Sequence, residues 1–340
     1  MANYKAVITG HGSYVPPNVF TNADLEPMLD TSDEWIRQRT GIEERRWVDP
    51  KEEGTAELGY KAALEAIKSS GIDKNEVDCL ILGTLSPQVD FPGTAVFVQH
   101  LLGLNGCAAY DVRQQCSAFV YSLEMADTFI RAGKYKNVLV IGAEVHSNGL
   151  DLTPRGRNVS VLFGDGAGAV LVSRADADSD RGIIDVEVHA DGEFASELWM
   201  EYPTNAKRES GVRERITIED IQEGKHYPYM NGKVVFVHAV KRMAETLKTM
   251  AIRNKVQLED IDLFVFHQAN LRINQKVAEV MGIPSDKVFN TIEKYANTTA
   301  ATIPLTLDEA VKAGKLKPGM LVASAVFGSG FTWGGALYRW

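Results

Sequence analysis

Two apolar segments, EVDCLILG at residues 76–83 and DIDLFVFH at residues 260–267, share one pattern and decide the fold. In each, an aspartate precedes a short run of large apolar residues, which is typical of a strand buried in a sheet. Asp78 and Asp262 therefore correspond, at a separation of 184 positions (262 − 78). This internal similarity predicts two related structural units along the chain.

The similarity extends to both sides of these strands. Amphipathic helical patterns precede them, at residues 59–71 and 238–250, and an Ala-Gly-Lys turn occurs at 132–134 and again at 313–315. The turns are 181 positions apart (314 − 133), close to the first separation. Strands that alternate with helices in each half imply α/β units with mostly buried sheets. We therefore predict an α/β fold of two pseudo-equivalent halves, residues 1–175 and residues 176–340.

The composition narrows the class of protein. With 340 residues, 45% of them hydrophobic, the chain can fill a large core, and a net charge of -9 argues against nucleic-acid binding through the overall field. The first residues have too short an apolar run for a signal peptide, and no segment approaches about 18 uninterrupted apolar residues. We expect a cytoplasmic protein without a membrane span. The cysteines show neither paired spacing nor neighbouring histidine clusters, which predicts no disulfide framework and no metal site.

The spacing of the repeat identifies three candidate catalytic residues. Cys116 precedes Gly133 by 17 residues (133 − 116), and Asn297 precedes Gly314 by the same number, so both stand at the start of equivalent helices. His267 ends the second apolar strand. Because ligands bind at the carboxyl ends of strands in α/β sheets, we expect these three side chains to meet there.

These residue types suit chemistry on a thioester. A helix N-terminus favours negative charge, so we expect a lowered pKa and a larger thiolate fraction for Cys116. Neutral His267 and Asn297 could donate hydrogen bonds to a thioester oxygen that becomes an enolate. Each also has a plainer interpretation: a small buried hydrophobic cysteine, a structural histidine and an ordinary N-cap asparagine. For Cys79 and Cys107 the structural interpretation is favoured.

Two glycine-rich runs differ in what they predict. FGDGAG at residues 163–168 superficially resembles a dinucleotide-binding loop, but it leads into an apolar strand pattern at 170–173 where that fold requires a helix. A Rossmann fold is therefore not predicted. FGSGF at residues 327–331 offers backbone N–H groups with little side-chain bulk, which suits an oxyanion hole beside the nucleophile.

Several motifs together resemble those of the β-ketoacyl-acyl carrier protein synthase III family, almost from end to end. They are TSDEWIRQRTGI at 31–42, Cys116, FGDGAG at 163–168, HQANLR at 267–272, Asn297 with Thr298, and FGSGFTWG at 327–334. The resemblance implies a thiolase-like fold with a five-layered αβαβα arrangement. In that family an acyl-CoA primer acylates the cysteine, and the histidine and asparagine promote decarboxylation of malonyl-acyl carrier protein, giving a 3-oxoacyl product. The roles carry over to Cys116, His267 and Asn297.

The resemblance also implies a set of binding residues and a homodimer. Acyl-CoA is then a substrate, and no cofactor or metal is expected. These residues are Cys116 and Ser329, whose backbone N–H groups form the oxyanion hole; Trp35, Arg39 and Arg157, which contact CoA; Phe91, which reaches the partner's acyl pocket; and Arg272 and Lys276, which dock acyl carrier protein. Stacking on tryptophan and pairing of arginine with phosphate are physically apt for these tasks.

Some features leave alternatives open. RQQCS at residues 113–117 replaces the Ala-rich sequence common in housekeeping members and is similar to relatives that make secondary products, so the pathway, the primer length and the carrier of the extender stay undecided. The polar segment 193–229 is either a lid over the acyl tunnel or a surface loop.

Other enzyme classes fit the residues less well. A thiolase needs a second cysteine, and none follows Cys116, while a hydroxymethylglutaryl-CoA synthase would need a glutamate where residues 84–86 read Thr-Leu-Ser. A cysteine-dependent acyltransferase or hydrolase remains the main alternative. The combination of Cys116, His267 and Asn297 argues against an inert acyl-binding scaffold.

Overall fold

The computed structural model describes residues 4–208 and 210–340. Within these ranges the strands are β1 (Tyr4–Tyr14), β2 (Val19–Thr21), β3 (Glu44–Arg46), β4 (Cys79–Gly83), β5 (Ala108–Val112), β6 (Asn137–Glu144), β7 (Gly166–Asp176), β8 (Gly182–Ala190), β9 (Leu198–Trp199), β10 (Tyr229–Met230), β11 (Leu263–Phe266), β12 (Leu321–Gly328) and β13 (Thr332–Arg339). The α-helices are α1 (Asn22–Leu29), α2 (Asp33–Thr40), α3 (Thr55–Ser70), α4 (Thr94–Leu102), α5 (Ala118–Arg131), α6 (Arg157–Ser160), α7 (Ile218–Gln222), α8 (Gly232–Asn254), α9 (Leu271–Met281), α10 (Ile292–Tyr295) and α11 (Thr302–Lys312).

The two large sheets repeat one topology. The first has the strand order β1-β7-β6-β4-β5 and the second the order β11-β12-β13-β8. Strands β4 and β6 pair in parallel and β6 pairs antiparallel with β7; likewise β11 and β12 are parallel and β12 and β13 antiparallel. The predicted correspondence of residues 76–83 with residues 260–267 is confirmed, because β4 and β11 hold equivalent places in the two sheets.

Helices form three layers around these sheets. Helices α3 and α4 cover the outer face of the first sheet, α5 and α11 lie between the sheets, and α8 and α9 cover the outer face of the second. The fold is therefore the expected five-layered thiolase-like arrangement. The helix predicted over residues 238–250 is longer than expected, since α8 begins at Gly232 and ends at Asn254.

The two halves also match at the start of the central helices. Gln115 has a φ of 44° and Ala296 a φ of 54°, each immediately before a candidate catalytic residue. Left-handed backbone is uncommon for residues other than glycine and turns the chain sharply. The structure thus confirms the predicted 181-residue correspondence and places Cys116 and Asn297 at two equivalent bends.

The central core belongs to both halves of the chain. One buried cluster includes Ile8 and Val140 from the first half and Val265 and Val322 from the second. The predicted division at residue 175 falls near the end of β7 and stays a prediction. Within the described ranges no helix is both long and apolar enough to cross a bilayer.

Candidate active site

A cavity of about 1030 Å³ opens at the carboxyl ends of the parallel strands, and its wall includes Cys116, His267 and Asn297 together. The structure therefore brings the three predicted side chains to one site. Two of them follow the equivalent bends before the central helices, and the third follows β11 directly. The repeat is what makes these distant residues converge.

Cys116 lies in a short 3-10 turn, Gln115–Ser117, that leads into α5. The backbone N–H groups of Cys116 itself and of Ser329 lie near its thiol sulfur and favour its thiolate form. At Gly328 an added Cβ would lie 2.8 Å from the Cys116 Cβ and 3.3 Å from its Sγ. A glycine is required there, because any side chain would collide with the nucleophile that the β12–β13 turn approaches.

The expected lowering of the Cys116 pKa is wrong. Burial, with a smaller effect of Glu144, raises the pKa of the thiol to about 12, and the N–H groups of Ser329 and Cys116 only partly oppose this. The cost of removing a thiolate from water outweighs the favourable field at the helix start. The free cysteine is therefore a protonated thiol at neutral pH.

His267 is almost fully buried and belongs to the cavity wall. Its Nδ1 lies 2.7 Å from the Thr302 Oγ1, whereas its Nε2 has no hydrogen-bond partner within residues 4–208 and 210–340. Burial lowers the pKa of the imidazole to about 3, so the ring is neutral at physiological pH.

The carboxamide of Asn297 is oriented by the residue two positions later. Its Oδ1 accepts a hydrogen bond of 2.9 Å from the Thr299 backbone N–H, which leaves the NH₂ group to face the cavity. The backbone of Asn297 also bridges to Phe163, at the start of the first glycine-rich run. That run therefore supports the site structurally, consistent with its continuation into β7 and with the absence of a Rossmann fold.

Residues predicted to contact CoA form a cluster near the cavity mouth. The guanidinium carbons of Arg157 and Arg39 lie 4.4 Å and 5.3 Å from the Trp35 ring centroid. Trp35 and Arg39 line the cavity. The cluster combines a flat apolar surface with two positive charges, which suits an aromatic base attached to phosphate.

The two residues predicted to dock a carrier protein differ in their surroundings. Arg272 is exposed at the cavity mouth and forms no ion pair with any residue that the structure describes. Lys276, one turn further along α9, has its Nζ 2.7 Å from Glu279. Of these two residues, Arg272 is therefore the better placed to meet an acidic partner.

Phe91 does not reach the cavity of its own chain. Its side chain is 82% exposed, and it is absent from the described wall of the site, although the adjacent Asp90 and nearby Val89 belong to it. An isolated monomer leaves this large apolar side chain in water, so its predicted role would require a second subunit.

The segment 193–229 contributes to the cavity through its two ends. Leu198 and Trp199 form β9, which pairs with β10. Met200, Pro228 and, just after the segment, Met230 also line the cavity. The Ser329 hydroxyl donates a 2.5 Å hydrogen bond to the Leu198 carbonyl. Residues near both ends of the segment thus form part of the cavity wall, and its role as a lid stays a prediction.

Sequence reasoning missed the residues that support the site. Glu144 ends β6, is fully buried, and accepts hydrogen bonds from residues 84–86 and from the Ala300 N–H, while burial raises its pKa to about 7. Glu144 thus brings a carboxylate next to residues 84–86, which themselves read Thr-Leu-Ser. It is not part of the cavity wall. A glutamate that closes an apolar strand was the available signal.

Thr299 and Thr302 were also missed, because their contacts depend on the left-handed turn after Asn297. No group of three histidine, cysteine or acidic side chains able to hold a metal occurs in the described ranges. The absence of a metal or cofactor stays a prediction.

Comparison with known proteins gives a consistent family. A model described as 3-Oxoacyl-[acyl-carrier-protein (ACP)] synthase III matches residues 110–192, and the model of its C-terminal part matches residues 252–340. A β-ketoacyl-[acyl-carrier-protein] synthase III of Aliivibrio fischeri is 42% identical over 332 residues, which is 98% of each chain.

Solved structures agree. The 3-oxoacyl-[acyl-carrier-protein] synthase III of Aquifex aeolicus is 41% identical, with a TM-score of 0.88 over 98% of this chain and 100% of the other. The priming β-ketosynthase of the R1128 polyketide biosynthetic pathway is 29% identical, with a TM-score of 0.88 over 100% of this chain and 98% of the other. The expected thiolase-like fold and the resemblance to the family are confirmed by these matches, and the chain belongs to the β-ketoacyl-acyl carrier protein synthase III family of condensing enzymes.

Proposed function

We propose that this protein condenses an acyl primer from acyl-CoA with a malonyl unit on acyl carrier protein, releasing carbon dioxide and a 3-oxoacyl product. The observation that carries the proposal is the presence of Cys116, His267 and Asn297 in one cavity with two backbone N–H groups at the sulfur. Membership of the synthase III family supports the same reaction.

In the first half-reaction the Cys116 sulfur attacks the carbonyl carbon of the acyl-CoA thioester. The N–H groups of Cys116 and Ser329 stabilise the negative charge that develops on the carbonyl oxygen. The bond between the acyl carbon and the CoA sulfur then breaks, and the proton lost by Cys116 ends on that sulfur. Acyl-enzyme and free CoA result, with no net change of charge.

The second half-reaction needs donors rather than a nucleophile. The carbonyl oxygen of the malonyl thioester accepts hydrogen bonds from His267 and Asn297, which stabilise the enolate formed as carbon dioxide leaves. The enolate carbon attacks the acyl carbon on Cys116, and the carbon–sulfur bond to the enzyme breaks. The negative charge passes to the Cys116 sulfur, which takes a proton from water and returns to the resting thiol. Both donors are neutral and partly fixed by neighbouring threonines, so they are preorganised for this charge.

Binding of the two carriers would use different parts of the cavity mouth. Trp35 offers a face for the adenine of CoA, with Arg39 and Arg157 close enough to meet its phosphates. Arg272 would pair with the acidic surface of acyl carrier protein, with a weaker contribution from Lys276 because of its ion pair.

We also propose that the active form is a homodimer. Strand β5 lies at the edge of the first sheet and is only partly buried, which leaves backbone groups available for pairing. Phe91, Val89 and Val96 add exposed apolar surface in the same part of the chain. A second copy would cover this surface and bring Phe91 to the partner's acyl pocket. A cytoplasmic location stays a prediction.

Intact mass after incubation with a panel of acyl-CoAs tests the proposal. We expect one acyl group on the wild-type protein and on Cys107→Ala, and none on Cys116→Ala, because only Cys116 has oxyanion donors at its sulfur. Addition of malonyl-acyl carrier protein should then release the group as a 3-oxoacyl product. Acyl transfer to another acceptor without that product would favour a simple acyltransferase instead.

A further inference from the structure

His146 is a second histidine in the cavity wall, and neither half-reaction proposed above uses it. It follows the end of β6 by two residues, so it comes from the first half of the chain, whereas Asn297 comes from the second. Its backbone N–H donates a 2.6 Å hydrogen bond to the Asp165 Oδ1. Asp165 is fully buried and also accepts hydrogen bonds from the backbone N–H groups of Val48 and Ser147. This carboxyl therefore fixes the backbone of His146 in the first half.

The imidazole of His146 contacts the chain on both sides of Asn297. Its ring centroid lies 4.6 Å from that of Phe163, whose backbone forms a bridge to Asn297. On the other side its Nε2 forms a hydrogen bond with the Thr299 hydroxyl, and the Thr299 backbone N–H donates to the Asn297 Oδ1. Burial lowers the pKa of the His146 imidazole to about 3, so the ring is neutral at physiological pH. One neutral side chain thus contacts two residues that hold Asn297.

Thr299 has a backbone conformation that threonine rarely adopts. Its φ of 48° lies in the left-handed region, which is unfavourable for a β-branched residue and persists only where the surroundings enforce it. Thr299 is fully buried, and among the residues that the structure describes its hydroxyl has no hydrogen-bond partner other than His146. Loss of the imidazole would leave this buried hydroxyl unsatisfied and would remove a contact that keeps the turn from relaxing.

We propose that His146 is a positioning residue that holds Thr299 in this conformation and so keeps the Asn297 carboxamide oriented at the cavity. His146 acts through Thr299 rather than on the substrate. The inference rests on the proposed function for the reaction that Asn297 serves, whereas the positioning itself does not depend on that reaction.

Variants of His146 separate the hydrogen bond from the ring contact. His146→Phe keeps a ring against Phe163 and removes the hydrogen bond to Thr299, whereas His146→Gln restores a hydrogen-bonding group. His189→Phe is the matched control, because His189 stacks on Trp333 at 5.4 Å and lies outside the described cavity wall.

The expected defect is confined to the second half-reaction. His146→Phe should lower kcat for malonyl decarboxylation by about 10-fold to 100-fold, because the Asn297 carboxamide is misplaced rather than removed. Acylation of Cys116 should change little, His146→Gln should recover decarboxylation, and His189→Phe should resemble wild type. A decarboxylation rate in His146→Phe no lower than in His189→Phe overturns the proposal, as do equal losses in both half-reactions.

Thr299→Val tests the connection from the other side, since it removes the hydroxyl and keeps the backbone N–H. We expect a similar loss of decarboxylation, and no further loss when His146→Phe is combined with it, because both changes break the same hydrogen bond. Losses that multiply in the double variant would show that His146 acts by another route.

Crystal structures of wild type and His146→Phe test the positioning without reference to the reaction. We expect the hydrogen bond from the Thr299 N–H to the Asn297 Oδ1 in wild type and its loss in the variant. A variant that retains this bond overturns the inference. Should wild type release no carbon dioxide, the proposed function fails, while the two structures still decide whether His146 positions Asn297.

Discussion

At Cys116 two effects on the thiol oppose each other. The helix start and two backbone N–H groups favour the thiolate, whereas burial favours the thiol and dominates, with a pKa of about 12. Once the thioester is bound and attacked, negative charge develops on its carbonyl oxygen. The same N–H groups then stabilise that charge. The site is therefore better suited to stabilising the tetrahedral intermediate than the resting thiolate.

If the backbone N–H of Ser329 makes the oxyanion contact, the side chain of Ser329 should be dispensable for acylation. Ser329→Gly and Ser329→Ala both retain the backbone N–H at the sulfur and lose only the hydroxyl bond to Leu198. We expect acyl-enzyme formation, followed by quenched-flow mass spectrometry, to slow by less than about 10-fold, against roughly 100-fold or more for loss of an oxyanion donor. A loss of the larger size in both variants would instead assign the oxyanion contact to the hydroxyl.

Single residues also show where sequence reasoning ends. Cys116 and Asn297 were identifiable because the repeat places both at one position of equivalent helices, and the structure places them at equivalent left-handed bends. Thr302 was not, since its contact with His267 spans 35 residues and depends on packing between α11 and β11. Burial likewise decides the pKa of Cys116, and it cannot be read from the local sequence.

Helix α9 presents the positive charge of Arg272 at the cavity mouth. The ion pair of Lys276 with Glu279, three residues further along the helix, could have been predicted from the sequence and weakens its proposed docking role. Arg272 at the first turn remains available to a partner.

We predict that Arg272→Glu will impair the reaction with malonyl-acyl carrier protein far more than acylation by acyl-CoA. The change replaces attraction to an acidic carrier with repulsion, so the defect should shrink as salt is added. Lys248→Glu, an equal charge change at an exposed position of α8, is the control. Steady-state rates of each half-reaction against ionic strength provide the measurement, and equal losses in both would show that Arg272 supports the fold or the site.

At the scale of the whole molecule, the two halves form one body around a shared core. The sequence repeat predicted the two sheets and their topology, but not how the sheets pack, because the central cluster joins residues from both halves. The same limit applies to Glu144, which ends β6 in the first half and accepts a hydrogen bond from Ala300 in the second. Such contacts form where the two halves approach each other closely, and no periodic pattern in the sequence indicates them.

Assembly of two such molecules gives a further prediction. Phe91→Asp should weaken the homodimer, raising its dissociation constant by at least about 10-fold, because it replaces a large exposed apolar side chain of the proposed contact with a charge. Ile252→Asp, at a 68% exposed apolar residue of α8, should leave assembly unchanged. Sedimentation velocity would report a mass of about twice 37.4 kDa for wild type. A monomeric wild type, or equal effects of the two variants, would contradict the proposed dimer surface.

Carbon dioxide release from malonyl-acyl carrier protein tests the central claim most directly, since it separates the donors from the nucleophile. We predict measurable release by wild type and by Cys116→Ala, although the latter forms no condensation product. His267→Ala and Asn297→Ala should still be acylated but should lose release by roughly 100-fold to 1000-fold, the usual effect of removing one such donor. A wild type that acylates well yet releases no carbon dioxide from malonyl-acyl carrier protein would contradict the decarboxylating condensation proposed for this cavity.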